Sequence, residues 1–330
     1  MQTRFDVVAI GHAIVDVLAH VDDGFLTEHG IAKGSMTLID AFRAAALDKT
    51  MKGAIEASGG SAANTAVGVA SLGGSAAFIG KVRDDRLGTV FAEEIRKAGI
   101  VFESASAKTG LATASSHILV TPDGQRSMNT FLGCASALDA GDMDAKTVAA
   151  AKILYVEGYL WDTPGAKAAI RSAIAHAKTA KRRVAFTLSD PFCVGRWRDE
   201  FKSLLADDVD ILFANEAEIK ALFETEYFDR AFQAVRKWGG TAALTRSAHG
   251  SVVVDANDIH ILEAEPVAKV EDTTGAGDQY AAGFLYGIAR ELPLGHCGRL
   301  GGIAAAEVIG HLGPRPLMPL KTLAAKANIT

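Results

Sequence analysis

Residues 272–278 (DTTGAGD) combine two glycines with two carboxylates at the predicted start of a helix. Glycines at such a junction let backbone N–H groups approach a ligand closely, and the positive end of the helix dipole favours an anion there. Asp278 is a poor charge partner for an anion, so we expect it to accept a proton. A glycine turn with an acidic residue in the first helical turn is the structural alternative, and this stretch alone does not decide between them.

Other polar residues fall at predicted strand ends or helix starts, where open α/β sheets bind ligands. These residues are Asn64, Asn215, Glu218, Thr245 and Asp272. Asn64 lies in a second glycine-rich helix start, residues 58–66 (SGGSAANTA). Asn215 and Glu218 lie three apart, so both side chains point to one side of a helix start. The same pair is close to a capping box, which would be purely structural.

The elements that position these residues alternate between short apolar strands and helices. Strands are predicted over 5–11, 76–82, 153–156, 184–188, 211–214, 242–245 and 251–254. Helices are predicted over 88–98, 164–179, 228–238, 277–290 and 295–309, and an extended segment is predicted to end near 270–271. This alternation indicates βαβ units, so the predicted fold class is α/β, with a parallel sheet and helices on both faces.

Two regions break the alternation. Segments 14–19 and 35–40 alternate weakly, as half-exposed strands do, and segments 116–121 and 126–131 flank Pro122-Asp123-Gly124-Gln125. That tetrapeptide is a strong hairpin signal. We therefore predict that the four segments pair in a separate small sheet.

Composition limits the classes of function. The 330-residue chain has a net charge of −5, which argues against a nucleic-acid partner. Its three cysteines are scattered and lack metal-ligand spacing, which fits a reducing compartment. Neither an apolar run of about 18 residues nor an apolar signal core is present, so no membrane partner is expected. These features predict a soluble, cytoplasmic protein. A monomer and a homodimer both remain open.

Several common catalytic signatures are missing. The sequence contains no G-x-x-x-x-G-K-[ST] loop, no HExxH zinc motif and no G-x-S-x-G elbow. The dinucleotide pattern fails because Tyr280 stands where its third glycine is needed. An oxidoreductase built on a doubly wound sheet is therefore disfavoured.

Four motifs resemble the signatures of the ribokinase (PfkB) family of sugar and nucleoside kinases, in the family's order and across nearly the whole chain. They are residues 58–64 (SGGSAAN), 79–88 (IGKVRDDRLG), 215–218 (NEAE) and 272–278. Stretches 11–16, 186–192 and 210–216 look most like the adenosine kinase branch. The resemblance implies one ribokinase-like kinase domain over 1–330, a three-layer αβα arrangement around a mostly parallel sheet. It also implies a small β-sheet lid formed by about 12–43 and 111–134.

The resemblance implies transfer of the γ-phosphoryl group of ATP to the 5′-hydroxyl of a nucleoside, with adenosine as the favoured acceptor. Asp278 would be the general base, and the backbone N–H groups of Gly275, Ala276 and Gly277 would stabilise charge on the phosphoryl oxygens.

It also implies sites for ATP and for cations. ATP would contact Asn215, Thr245, Ser247, Gly250 and Gly277. Glu218, with Asn215, would hold Mg²⁺ mostly through water. Asp272 and Thr274 resemble the family's site for a monovalent cation such as K⁺.

On the acceptor side, the resemblance implies contacts from His12, Asp16, Gly59, Gly60, Ser61 and Asn64. Leu132, Cys134 and Leu160 fall where adenosine kinases enclose the base, with core packing as the alternative. Two departures matter. His12-Ala13 replaces a common Asn-Pro, which leaves the acceptor open, and Ser247 lies near a position where glycine is usual.

Alternative functions therefore remain. One is a kinase of inosine, guanosine or cytidine, and another is a kinase of a free sugar such as ribose or fructose. A non-catalytic nucleoside-binding protein is a third, but intact residues 275–278 argue against it.

Overall fold

The computed structural model describes residues 3–51 and 53–329, and within them eight strands form one large sheet. These strands are β1 (Phe5–Ile10), β5 (Ala76–Ile79), β8 (Ala151–Glu157), β9 (Arg183–Thr187), β10 (Ile211–Asn215), β11 (Thr241–Thr245), β12 (Ser251–Val254) and β13 (Ile259–Leu262). Their order is β13-β12-β11-β10-β9-β8-β1-β5. The six strands from β11 to β5 are parallel, and β12 and β13 add an antiparallel edge. The predicted parallel sheet is confirmed.

Helices cover both faces of this sheet, and others lie elsewhere in the fold. The α-helices of the described residues are α1 (Asp23–Glu28), α2 (Ala41–Thr50), α3 (Ser61–Ser71), α4 (Arg86–Lys97), α5 (Ala145–Ala149), α6 (Pro164–Thr179), α7 (Pro191–Asp207), α8 (Glu216–Leu222), α9 (Phe228–Trp238), α10 (Ala276–Ala289), α11 (Leu294–Ile309) and α12 (Leu320–Lys326). Helices α5 to α9 pack on one face, and α3, α4, α10 and α11 on the other. None of the described helices is long and apolar enough to cross a bilayer.

The side chains of the buried strands alternate between the two faces of the large sheet, which explains its two separate cores. On β1, Val8 and Ile10 belong to the core under α5 to α9, whereas Val7 and Ala9 belong to the core under α3 and α10. Side chains of a strand alternate between faces, so a strand buried on both faces must be apolar throughout. The uninterrupted apolar run of β1 therefore follows from its place inside a three-layer sandwich.

A second sheet of five strands stands apart from the large one. It contains β2 (Ile14–His20), β3 (Met36–Leu38), β4 (Ile55–Gly59), β6 (Ala114–Val120) and β7 (Arg126–Phe131), in the order β3-β7-β6-β2-β4. The predicted hairpin is confirmed, since β6 and β7 pair antiparallel, with Ser116 opposite Thr130. We call this five-stranded unit the small sheet.

Several parts of the fold differ from the sequence prediction. Strand β4 lies outside the predicted lid segments, because its alternating polar residues give little strand signal. The segment before Asp272, predicted as extended, has no strand among the described residues. Helices α2, α5 and α12 and strand β13 were not predicted. Helix α2 buries only Ala44 and Leu47, so its amphipathic pattern is weak.

Candidate active site

The two glycine-rich helix starts meet at Asp278. Helices α3 and α10 pack against each other, and this places Ser61 and Asn64 beside the carboxylate of Asp278. The Ser61 hydroxyl donates to Asp278 Oδ1 at 2.6 Å, and Asn64 Nδ2 donates to Oδ2 at 3.1 Å. The Thr65 hydroxyl donates to the Asp278 carbonyl at 3.1 Å. The structure thus brings Ser61 and Asn64, predicted from one motif, to Asp278, predicted from another.

The environment of Asp278 suits a proton acceptor. Its half-buried position raises the pKa of the carboxyl group, and the hydrogen bonds from Ser61 and Asn64 oppose that rise. A general base works best when its pKa approaches the working pH, provided that it stays ionised. The two donors keep the carboxylate form favoured and leave each oxygen a further lone pair for a proton.

The loop before α10 has a backbone that requires glycine at position 275. Gly275 adopts φ 79°, and a Cβ there would lie 2.6 Å from the Cα of Pro314. Ala276 donates its N–H to the Thr273 carbonyl at 3.2 Å. A Cβ on Gly277 would meet no described atom within 4 Å, so the space beside this helix start is open.

Replacing Gly275 by alanine is expected to lower both stability and turnover. The left-handed φ costs an alanine about 1 kcal/mol, and the clash with Pro314 must move backbone rather than a flexible side chain. We expect the midpoint of urea unfolding to fall, and kcat to drop at least about tenfold because the helix start shifts. The matched variant Gly277→Ala has room for its Cβ and should unfold at nearly the wild-type urea concentration. Equal stability of the two variants would contradict this account of the loop.

Asp272 is held by four hydrogen-bond donors. Its Oδ1 accepts from the Thr274 N–H at 2.9 Å and from the Thr274 hydroxyl at 2.7 Å, and its Oδ2 accepts from the Gly313 N–H at 2.9 Å. The guanidinium of Arg126 pairs with Oδ2 and also lies 3.2 Å from Thr274 Oγ1. Arg126 therefore contacts the side chains of both residues predicted to bind a monovalent cation. With Arg126 in this position the residues do not fit such an ion, and no step is assigned to one.

Arg126 itself was not singled out in the sequence. It begins β7, so its contact with Asp272 connects the small sheet to the loop before α10. Its burial lowers the pKa of the guanidinium, and the nearby charge of Asp16 opposes that shift. An arginine after a hairpin turn carries no motif, so only the three-dimensional structure identifies it.

The predicted ribose-side residues lie next to one another on the small sheet and the start of α3. Asp16 on β2 is adjacent to Gly59 on β4, where a Cβ would overlap its carboxylate. Desolvation raises the pKa of Asp16 to about 6, Arg315 and Arg126 oppose this rise, and Asp278 adds to it. Gly60 adopts φ 97°, and a Cβ there would lie 2.2 Å from the His12 carbonyl oxygen, so no side chain fits.

His12 contacts a carboxylate that the sequence analysis missed. The His12 N–H donates to Glu157 Oε1 at 2.7 Å, and its ring Nδ1 lies 3.3 Å from the same oxygen. The Ala62 N–H donates to Glu157 Oε2 at 3.0 Å. Burial raises the pKa of Glu157 to about 7, and the two N–H donors oppose this rise. Burial also lowers the pKa of His12 to about 4. The sequence feature that could have identified Glu157 is its position directly after the apolar predicted strand 153–156.

The three residues predicted to enclose the base occupy different settings. Leu160 is buried in the core under α5 to α9, on the face of the sheet opposite α3 and α10. Cys134 is buried, with its thiol 3.5 Å from the Lys81 carbonyl. Leu132 is partly exposed just before it. For Leu160 this is the core packing that the sequence analysis kept as the alternative.

The predicted ATP-side residues gather at the ends of β10 and β11. Asn215 pairs in register with Thr245. Asn215 caps α8 in a full capping box with Glu218: its Oδ1 accepts from the Glu218 N–H, and its own N–H donates to Glu218 Oε2, both at 2.9 Å. Burial raises the pKa of Glu218 to about 7. Ser247 adopts the left-handed φ of 51°, a conformation that glycine adopts more readily than serine, and Gly250 adopts φ 73°.

The chain is similar in sequence and in fold to several known proteins. The family model for "pfkB family carbohydrate kinase" matches residues 34–321. The crystal structure of adenosine kinase from Sinorhizobium meliloti is 51% identical, covers 98% of this chain and 100% of its own, and superposes with a TM-score of 0.91. A probable sugar kinase protein from Rhizobium etli is 45% identical over 100% of both chains, with a TM-score of 0.92. An ATP-dependent ribose-1-phosphate kinase from Halopiger xanaduensis is 32% identical over 236 residues, 70% of this chain and 73% of its own.

Proposed function

Since the chain belongs to the pfkB family of carbohydrate kinases, we propose that it transfers the γ-phosphoryl group of ATP to the 5′-hydroxyl of a nucleoside, with adenosine the favoured acceptor. Members of this family phosphorylate sugar or nucleoside hydroxyl groups, so the chain is a phosphotransferase with an alcohol acceptor. The observation that carries the proposal is the Asp278 carboxylate at the start of α10, held by Ser61 and Asn64. The 51% identity with an adenosine kinase supports the choice of acceptor.

In the proposed reaction, the acceptor hydroxyl lies against Asp278. The carboxylate takes the hydroxyl proton while the oxygen forms a bond to the γ-phosphorus, and the bond from that phosphorus to the β–γ bridging oxygen breaks. The products are AMP and ADP when adenosine is the acceptor. The N–H groups of Gly275 and Gly277 and the positive end of the α10 dipole stabilise charge on the transferred group. The Ala276 N–H, predicted to share this role, donates to the Thr273 carbonyl instead.

Mg²⁺ fits the ATP side as an ion held through water. Each oxygen of Glu218 accepts one N–H from Asn215, which leaves further lone pairs for water molecules around the ion. A buried carboxylate whose pKa is raised to about 7 also gains from a nearby cation. When bound, Mg²⁺ neutralises charge on the β- and γ-phosphate oxygens.

The small sheet would act as a lid. It supplies Asp16 and Gly59 to the proposed ribose side and Arg126 to the loop before α10. Closure of such a unit over the acceptor would exclude water, which otherwise competes with the acceptor hydroxyl for the phosphoryl group.

A free-sugar kinase is the second candidate. The similarity to the Rhizobium etli and Halopiger xanaduensis proteins favours it, because their names refer to sugar or sugar-phosphate acceptors. His12-Ala13, which replaces the Asn-Pro common in adenosine kinases, keeps this candidate open. The buried contact of the His12 ring with Glu157 gives this position a structural role in either case.

An acceptor panel is expected to separate the candidates. With saturating ATP, ADP formation should be measured for adenosine, inosine, guanosine, cytidine, ribose, fructose and ribose 1-phosphate. We expect kcat/KM for adenosine to exceed that for any free sugar by at least about 10²-fold, since a site built for the base gains several kcal/mol from it. Background hydrolysis is subtracted with acceptor omitted. Turnover confined to sugars would reject the nucleoside proposal.

A further inference from the structure

Residues 313–315, which we call the strap, cross the loop before α10 between α11 and α12. The Gly313 N–H donates to Asp272 Oδ2 at 2.9 Å, and the Pro314 carbonyl accepts from Gln279 Nε2 at 3.0 Å. Pro314 lies directly against Gly275. The strap therefore touches the loop on both sides of the proposed anion site.

Arg315 reaches from the strap to α3 and β4. Its Nε donates to Asn64 Oδ1 at 3.2 Å, and its Nη1 donates to Ser58 Oγ at 2.8 Å. Asn64 in turn donates from Nδ2 to Asp278 Oδ2 at 3.1 Å. A continuous line of side chains thus joins Arg315 to the proposed base.

The chemistry of its two neighbours fixes the orientation of the Asn64 amide. A guanidinium can only donate hydrogen bonds, and an ionised carboxylate can only accept them. If the amide were turned over, its NH₂ would face the donor of Arg315 and its oxygen would face the carboxylate of Asp278. Both contacts would be repulsive, so Arg315 makes the donating orientation toward Asp278 the stable one.

We propose that Arg315 is a positioning residue for phosphoryl transfer, which holds the Asn64 amide so that it orients the Asp278 carboxylate toward the acceptor hydroxyl. This inference rests on the proposed function of Asp278 as the base. It assigns a function to the strap, a segment in which the sequence analysis identified no motif.

The surroundings of Arg315 fit this assignment. Desolvation lowers its pKa to about 10, which the charge of Asp16 opposes, so the guanidinium stays protonated at neutral pH. Its Nη2 is buried and has no hydrogen-bond partner among the residues that the structure describes. Leaving a buried donor without a partner costs about 1–3 kcal/mol. Arginine is thus not the residue that packing alone would favour here.

A double-mutant cycle with Asn64 tests the proposal. We expect Arg315→Gln to lower kcat about 10- to 100-fold in the wild-type background, but less than about threefold when Asn64 is already alanine, because the residues act through one contact. Arg315→Lys keeps the charge, but lysine lacks the forked guanidinium that donates to both Asn64 and Ser58. Its kcat should therefore lie between those of the wild type and Arg315→Gln. Arg299→Gln, a half-exposed arginine on α11 paired with Glu265, is the matched control and should keep the wild-type kcat.

Equal fold losses from Arg315→Gln in both backgrounds, or wild-type kcat in that variant, would overturn the assignment. If the glutamine variant does not fold, Arg315→Lys is tested in the same cycle with the same criterion. The proposed base is tested separately through Asp278→Asn. A fully active Asp278→Asn enzyme would reject the proposed mechanism, whereas an inactive one beside a fully active Arg315→Gln enzyme would reject only the assignment of Arg315.

Discussion

Asp278→Asn is expected to lower kcat by about 10²–10⁴-fold while the nucleoside still binds. The substitution removes the group that accepts the hydroxyl proton but hardly changes the shape of the side chain. Positioning of the acceptor and stabilisation of phosphoryl charge by the start of α10 remain. The residual rate should therefore stay well above the uncatalysed rate.

The hydrogen-bond network can accept this substitution. The Ser61 hydroxyl is a donor and an acceptor, so it can rotate to receive the new NH₂ group. The new amide oxygen can then accept from Asn64 Nδ2, as Asp278 Oδ2 does now. Since Asn64 keeps its orientation, its contact with Arg315 also survives.

Two measurements check this result. The kcat at saturating adenosine and ATP reports the chemical step, and the Kd for adenosine from calorimetry reports binding. Asp229→Asn, an exposed aspartate in the first turn of α9, is the matched control and should leave both unchanged. Turnover of Asp278→Asn within about threefold of wild type would mean that another group accepts the proton.

Much of the fold followed from patterns local in sequence. The alternation of apolar strands with helices predicted the parallel sheet, and the Pro122–Gln125 turn predicted the β6–β7 hairpin. The meeting of residues 58–64 with residues 272–278 followed from the resemblance to the family. These features depend on glycine geometry and on helix starts, which short stretches of sequence specify.

The residues that the sequence analysis missed are those that act across long separations. Glu157 joins the end of β1 to the start of α3, Arg126 joins the small sheet to Asp272, and Arg315 joins the strap to Asn64. A single charged side chain has no periodicity, and its partner is set by topology rather than by spacing. Strand β4 was missed for a related reason. Its extended conformation depends on pairing with β2, and its own residues do not have a strand pattern.

Glu157→Ala is expected to lower the free energy of unfolding by about 2–6 kcal/mol. The carboxylate accepts buried N–H groups from His12 at 2.7 Å and from Ala62 at 3.0 Å, and its side chain is 1% exposed. Removing it leaves both donors without a partner, at about 1–3 kcal/mol each. Because these donors belong to the end of β1 and the start of α3, kcat should fall as well.

The pH dependence of stability gives a sharper test of Glu157. Burial raises its pKa from 4.5 to about 7, so between these values the folded state binds a proton that the unfolded chain lacks. Stability contributed by that proton is complete below about pH 4.5 and is lost as the pH rises through about 7. The expected loss attributable to Glu157 is about 2 kcal/mol from pH 5.5 to pH 7.5.

Glu157→Gln removes this titration and keeps one acceptor for the two N–H groups. Urea unfolding at pH 5.5, 6.5 and 7.5 should therefore show the wild type losing stability relative to the variant as the pH rises.

His12 has the opposite pH dependence. Its pKa is lowered from 6.5 to about 4, so the stability that it contributes increases as the pH rises toward about 6.5. Its contribution is shared by both proteins and cancels in their difference to the extent that the pKa of His12 is the same in each. Glu226→Gln, a substitution at an exposed glutamate, is the matched control. If the stability difference between the wild type and Glu157→Gln does not change with pH, Glu157 is ionised throughout, and the two N–H donors outweigh its burial.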